Sequence, residues 1–194
     1  MGTRDVILDA AAKVMAERGL ANVTTRQIAQ AAGFTEAALY KHFAGKADLL
    51  VAVMRERSPG FTRLIQALHG RAGTGTLAGN LTGVARAAID FYGEGFPMLA
   101  SMFADPATLT AHKEELRQQG AGPHKANEAV AAYLRAERDL GRLRQEADVT
   151  AAAGLLLGAC FQYAFLAHMA DRLGRDDDEA AASFARTLLE RLAS

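Results

Sequence analysis

Apolar positions in this chain recur at helical spacing, and the segments are cut by glycine, proline and capping residues rather than by alternating strands. Ile7, Ala11, Val14 and Met15 fall at i, i+4, i+7 and i+8, which predicts a helix over 4–18 with Thr3 as N-cap and Gly19 and Leu20 closing it. The clearest start is VTTRQIAQAAG. Thr24 as N-cap puts Gln27 at the third helical position, a reciprocal capping box, with Val23 and Ile28 as a hydrophobic staple around it. Gly33 stops this helix, and Thr35 caps a further short one, TEAALYKHF, with Phe34 and Leu39 as its staple and Gly45 closing it. Two short helices joined at a glycine predict a helix-turn-helix whose core is Ile28, Ala29, Ala32, Leu39 and Phe43, packed on Val14 and Met15.

A fourth helix is predicted over 46–57, and Pro59-Gly60 is the first firm breaker after it. The chain is therefore expected to divide into a helix-turn-helix module over 1–46, a connecting helix over 47–58 and a larger helical module over 59–194. In that module the pattern predicts helices at about 61–69, 76–92, 97–104, 106–119, 123–141, 149–172 and 178–192. Asp105 caps the fourth of these ahead of Pro106, and Asp148 caps the long apolar one. Phe184, Leu188, Leu189 and Leu192 form one stripe of the last helix. The fold class is all-α.

Half of the 194 residues are hydrophobic and 23% are charged, enough apolar surface for a core and too much for a disordered chain. Lys plus Arg equals Asp plus Glu at 22 each, so binding to nucleic acid has to rest on where the cations stand. The single cysteine, Cys160, excludes an internal disulfide framework and a multi-cysteine metal site, as suits a reducing compartment. The five histidines have no metal-ligand spacing, and no metal or cofactor is expected. Arg4, Asp5 and Asp9 interrupt the N-terminal apolar residues, so the pattern is not that of a secretory signal and a cytoplasmic protein is expected.

Cation placement is the informative feature. Arg26 lies in the first turn of the second helix, Lys41 and His42 at the end of the third, and Lys46 at the start of the fourth. All four would edge the surface presented by the third helix, where Thr24, Thr25, Thr35 and Tyr40 supply hydroxyls. Ala37 and Ala38, behind Glu36, are small enough for the helix backbone to approach base edges in a major groove. An ordinary solvated hairpin with scattered charge has the same periodicity, and periodicity alone does not separate the two.

Residues 3–51 resemble the DNA-binding domain of the TetR family of bacterial transcriptional regulators. The matching elements are Ile7-Leu8-x-Ala10-Ala11, Gly19-Leu20, Thr24-Thr25-Arg26-x-Ile28-Ala29, Ala32-Gly33, Leu39-Tyr40-x-His42-Phe43 and Lys46-x-x-Leu49-Leu50. The resemblance implies a homodimeric regulator of double-stranded operator DNA, by default a repressor released by a small apolar or amphipathic effector. It implies that Arg26 and Glu36, Ala37 and Ala38 face bases, while Thr25, Tyr40, His42 and Lys46 grip phosphates or position the helix. Glu36-Ala37-Ala38 stands where many relatives carry serine, lysine or glycine. Glu36 either accepts from a cytosine amino group or merely suits the first turn of its helix; repulsion from phosphates favours the second.

The uncharged stretch 149–170 meets the length criterion for a membrane span and holds Gly154-x-x-x-Gly158. It lacks flanking basic clusters and interfacial tryptophan, and Thr150, Gln162, Tyr163 and His168 interrupt it, so no membrane partner is expected. The resemblance places it in a four-helix bundle across a dyad, with Gly154, Gly158, Phe184 and Leu188 at the seam. Tyr92, Met102, Phe103, Phe165 and His168 are the candidates for an effector cavity, against the plain alternative of core packing. No enzyme is expected. Gly45-Lys46 lacks the first glycine and the Ser/Thr of a phosphate loop, the Asp176–Asp178 run lacks metal-ligand spacing, and Cys160 reads as a buried filler. The alternative function is a small-molecule carrier with a helix-turn-helix-like hairpin and no role on DNA.

Overall fold

Each capping signal acts on a short stretch of backbone, and the structure shows how those stretches combine. The computed structural model describes residues 2–18, 23–57, 59–104, 106–118, 120–170 and 176–192; among these the chain forms ten α-helices and no strand. Two units emerge from the packing: residues 1–59 with 95–120, and residues 60–94 with 121–194. The sequence divides the chain at 1–46, 47–58 and 59–194, whereas the packing groups 95–120 with residues 1–59.

In the first unit α1 (Thr3–Arg18) packs on both α2 (Thr25–Ala31) and α4 (Lys46–Arg57), and α2 packs on α3 (Glu36–Tyr40). Ile7, Leu8, Ala11, Val14 and Met15 of α1 are buried with Ile28, Ala29, Leu39, Phe43, Leu49 and Leu50. Ala32, expected in this core, is only partly covered. Thr3 is not the N-cap. Gly2 takes that place: its carbonyl accepts from the Asp5 and Val6 N–H groups at 3.0 and 3.2 Å. Gly19 and Leu20 lie outside the described residues.

The capping box of α2 is complete. The Thr24 hydroxyl accepts from the Gln27 N–H at 3.2 Å, and the Gln27 side chain accepts from the Thr24 N–H at 3.0 Å. Gly33 adopts φ +75°, the Phe34 N–H donates to the Ala29 carbonyl at 2.9 Å, and the Gly33 N–H donates to that of Gln30 at 3.1 Å. This double closure needs a left-handed residue at the turn, which glycine adopts without a Cβ clash. Thr35 accepts from the Ala38 N–H at 3.2 Å and starts α3. That helix ends at Tyr40, earlier than expected. The His42 and Phe43 N–H groups both return to the Leu39 carbonyl, at 3.0 and 3.1 Å, and the Ala44 N–H is taken by Asp48 of α4 at 2.8 Å. Capping of the next helix therefore draws the chain out of α3.

The second unit holds α5 (Pro59–Leu68) after its first residue, a 3-10 turn over His69–Arg71, the first part of α6 (Leu77–Ala104), α8 (His124–Asp139), α9 (Val149–Met169) and α10 (Asp177–Leu192). The remainder of α6 and α7 (Pro106–Gln118) belong with the first unit. Pro59, expected as a breaker, is the first residue of α5, where its missing N–H costs nothing. Likewise α6 runs unbroken through Gly93–Pro97. Propensity there is worth only about 1 kcal/mol per glycine and 3 for proline, and the buried stripe Leu81, Val84, Ala85, Ala88 and Ile89 outweighs it. Asp105 and Arg172, at expected helix ends, lie outside the described residues.

Small residues set the spacing of the last helices. Ala152, Ala153, Leu156, Leu157, Cys160 and Ala164 of α9 are buried, as are Ala180, Ala181, Ala185 and Leu192 of α10. The Asp148 carboxylate caps α9, accepting from the Thr150 and Ala151 N–H groups at 3.1 and 3.0 Å. The aspartates at the start of α10 are also structural: Asp176 accepts from the Glu179 N–H at 2.7 Å, and Asp178 pairs with Arg86 at 2.7 Å.

Among the described residues, one charged side chain is fully buried. Glu137 of α8 accepts from the Gly73 N–H at 3.2 Å and faces the Arg142 guanidinium at 3.0 Å, while Arg142 also donates to the Gly75 carbonyl at 2.8 Å. Asn80 completes the network, donating to the Thr74 carbonyl at 2.9 Å and the Tyr133 hydroxyl at 3.0 Å. Together they fasten the 72–76 turn to α8.

Two stability effects follow. Gly33→Ala should cost about 1–2 kcal/mol in urea unfolding, because alanine must take up φ +75°; an unchanged midpoint would contradict the closure. Arg142→Ala should cost about 3 kcal/mol, because it strands the Glu137 carboxylate in the interior, and a loss below about 1 kcal/mol would show that the pair contributes little.

Candidate nucleic-acid interface

Two short helices and one tight turn build the candidate site. Leu39 is fully buried and Phe43 nearly so, so the underside of α3 is pinned against α2 and its other side faces out. Arg26, Ala37, Tyr40, Lys41 and His42 are exposed, and Glu36, Ala38 and Lys46 are partly exposed. Within the described residues no ion pair engages Arg26, Lys41 or Lys46. From Thr24 to Lys46 these three cations stand against one carboxylate, Glu36.

That carboxylate is committed elsewhere. The Thr25 hydroxyl donates to Glu36 at 2.5 Å and lies 3.3 Å from the Tyr40 hydroxyl. Thr25 is only 8% exposed, so its hydroxyl works inside the hairpin, tying the first turn of α2 to both ends of α3. Of the two roles expected for Thr25, gripping a phosphate or positioning the helix, this bond serves the second, and it gives Glu36 an intramolecular partner. Sequence reasoning missed the bond. The usable signal was that Thr25 and Glu36 each occupy the first helical position after a threonine cap. The Thr24 and Thr35 hydroxyls both serve as N-caps at the exposed edge.

Arg4 was also missed. Its guanidinium donates to both carboxylate oxygens of Glu56 at 2.7 and 2.8 Å and lies 5.3 Å from the centre of the Phe43 ring. Hydrogen bonding to Glu56 holds its pKa above the ordinary arginine value. Arg4 is thereby spent on the fold, in contrast to Arg26, Lys41 and Lys46.

The other candidate residues are placed differently from one another. Tyr92 packs in an aromatic group, with ring centres 5.7 Å from Phe91, 6.2 Å from Phe61 and 5.3 Å from Phe161. Burial pushes the phenol of Tyr92 and the thiol of Cys160 each up to about 12, so both are neutral at physiological pH. Phe165 and His168 are exposed, Phe103 is 66% exposed and belongs to the first unit, and the Met102 side chain lies outside the described residues.

A groove of about 850 Å³ lies along α9 and α10, with Ala151, Leu155, Ala159, Phe184 and Leu188 among its lining. Arg144 and Arg191, Glu146 and Asp148 bring charge of both signs to it. Phe184 and Leu188 are half-buried here, and Gly154 and Gly158 are exposed with open space where a Cβ would stand. By length and composition α9 would also span a membrane, but one of its sides is buried in the second unit.

Comparison with known proteins adds to this geometry. The profile of bacterial regulatory proteins of the tetR family matches residues 7–53, and that of the AefR-like transcriptional repressor C-terminal domain matches 108–191. Over 55 residues the chain is 46% identical to the HTH-type transcriptional regulator SrpR of Pseudomonas putida, a match covering 28% of this chain and 26% of SrpR. A match to TtgW of the same species covers 41% of that protein. The curated relatives are thus matched over less than half of their length. Across nearly the whole chain the fold is similar to SmeT, repressor of the Stenotrophomonas maltophilia multidrug efflux pump SmeDEF (TM-score 0.67, 24% identity, 100% of this chain and 92% of SmeT). It is also similar to the fatty acid degradation regulator FadR of Bacillus halodurans (TM-score 0.69, 19% identity, 97% and 95%). With both its reading head and its C-terminal helices matched, the chain belongs to the TetR family of bacterial regulators.

Proposed function

We propose that the protein is a DNA-binding transcriptional regulator, a repressor that leaves its operator when a small apolar or amphipathic molecule binds its larger module. The observation that carries this reading is the cation set around α3, exposed Arg26 and Lys41 with partly exposed Lys46, unpaired among the described residues while Arg4 is neutralised. Cations left unpaired at the rim of a short helix suit phosphates on either side of a major groove. Ala37 at the exposed first turn of α3 lets the backbone come close to base edges. Arg26, in the first turn of α2, is the candidate for a bidentate guanine contact.

Reading DNA in this way calls for two copies. The groove along α9 and α10 is apolar along most of its length, with Arg144, Glu146, Asp148 and Arg191 gathered at the end where α9 starts and α10 finishes, and a second copy related by a dyad would bury Leu155, Phe184 and Leu188 against their equivalents. The two α3 helices would then enter successive major grooves about 34–36 Å apart. SmeT has been solved in complex with triclosan, which supports a small apolar effector here. Such a ligand acts only if it binds one arrangement of the reading heads better than another. α4, leading the chain out of the head, is the element through which it acts. The setting is the cytoplasm, where the chromosome is.

The primary experiment is a mobility shift on the DNA upstream of the protein's own gene, repeated over a salt series. Binding should weaken steeply as salt rises, because each phosphate contact releases counterions; no shift at low salt across that region would contradict the reading. Lys46→Ala should weaken binding to specific and random duplexes alike and lower the salt slope by about one unit. Arg26→Ala should cost about 1–3 kcal/mol on the operator and less on random DNA, and equal losses would make Arg26 a phosphate contact. Replacing the open Gly158 by Trp should shift the protein towards monomer in analytical ultracentrifugation, and an intact dimer would move the seam off this helix face.

A further inference from the structure

Arg4 joins the last turn of α4 to the end of the recognition hairpin. Phe43 stands three residues before that helix begins, whereas Glu56 is in its last turn, about 15 Å from Lys46 at 1.5 Å rise per residue. The guanidinium reaches both, donating to Glu56 at 2.7 and 2.8 Å and stacking 5.3 Å from the Phe43 ring centre. Phe43 is itself fixed: its side chain is buried and its N–H donates to the Leu39 carbonyl at 3.1 Å, which ties it to the base of α3. A planar fork tolerates little misalignment. Turning α4 by 5° about its first residue would carry Glu56 roughly 1.3 Å, enough to break both bonds. The pair as formed therefore favours one orientation of α4 relative to the recognition hairpin.

We propose that Arg4 is a positioning residue: it locks α4 and the base of α3 in one relative orientation, and so sets how well the effector-free head fits its operator. This rests on the DNA-reading function proposed above. Arg4 touches no DNA in this role; it acts through Glu56 and Phe43.

The test uses the full chain to select duplexes from a random pool. Affinities for the selected duplex and for a scrambled one are then measured by fluorescence anisotropy over a salt series. Arg4→Lys keeps a cation beside Glu56 but loses the fork and the flat stacking surface, and Glu56→Gln keeps the stacking but weakens the pair. Each should lower the ratio of specific to scrambled affinity by about five- to tenfold, and the double variant should lose little more than either single one. Scrambled-duplex affinity and the salt slope should stay as in the wild type. A lower melting temperature with the ratio intact would reduce Arg4 to a stabilising contact and overturn the proposal. So would equal losses on both duplexes with a shallower salt slope, which would make Arg4 a phosphate contact. Failure of the wild type to select any duplex would overturn the DNA reading itself. That outcome is distinct from a wild type that selects a duplex its variants bind equally well.

Discussion

A five-residue helix cannot hold itself together in water, and the recognition element of this protein is one. α3 persists because Leu39 and Phe43 are buried beneath it, Thr35 caps its start, and the Gly33 closure delivers the chain to that cap at the required angle. Everything proposed for DNA depends on that anchoring. A longer helix could supply its own backbone stability and present any face. This one has a single orientation, set by two buried side chains and a turn that only a left-handed residue can make.

Charge placement follows from the same economy of structure. The hairpin carries one carboxylate, and the Thr25 hydroxyl engages it across the two helix starts, so it stiffens the hairpin. Arg4 is held by Glu56 and by the Phe43 ring. Arg26, Lys41 and Lys46 remain at the rim. A chain with no net formal charge can in this way present a local cationic edge, the property that phosphate binding requires.

Much of the reading head was legible in the sequence because its signals are local. A capping box spans four residues and a glycine closure about six, so Thr24, Gln27, Gly33 and Thr35 could be assigned without knowing the fold. The Arg4–Glu56 pair joins residues 52 apart and the Glu137–Gly73 bond residues 64 apart, and no spacing rule predicts either. The continuity of α6 was illegible for a related reason. Gly93 and Pro97 are strong local breakers, and their effect is overridden by burial of the preceding stripe, which depends on where α8 and α9 lie. The effector candidates were chosen by residue type alone. Aromatic composition does not tell a stacked core residue such as Tyr92 from an exposed one such as Phe165. The α10 stripe had a similar outcome. Phe184 and Leu188 stay half-exposed along the groove while Ala180, Ala181 and Ala185 face the core, since small residues let the helices approach most closely.

The central claim is that α3 enters duplex DNA as one of a symmetric pair. Hydroxyl-radical footprinting on a duplex selected by the full-length protein tests it most directly, because the cleavage pattern reports the groove occupied and the spacing at nucleotide resolution. The account predicts two protected patches on one face of the duplex, centred about one helical turn apart and related by an approximate dyad in the sequence. A single patch, or protection following the minor groove without a dyad, would contradict it.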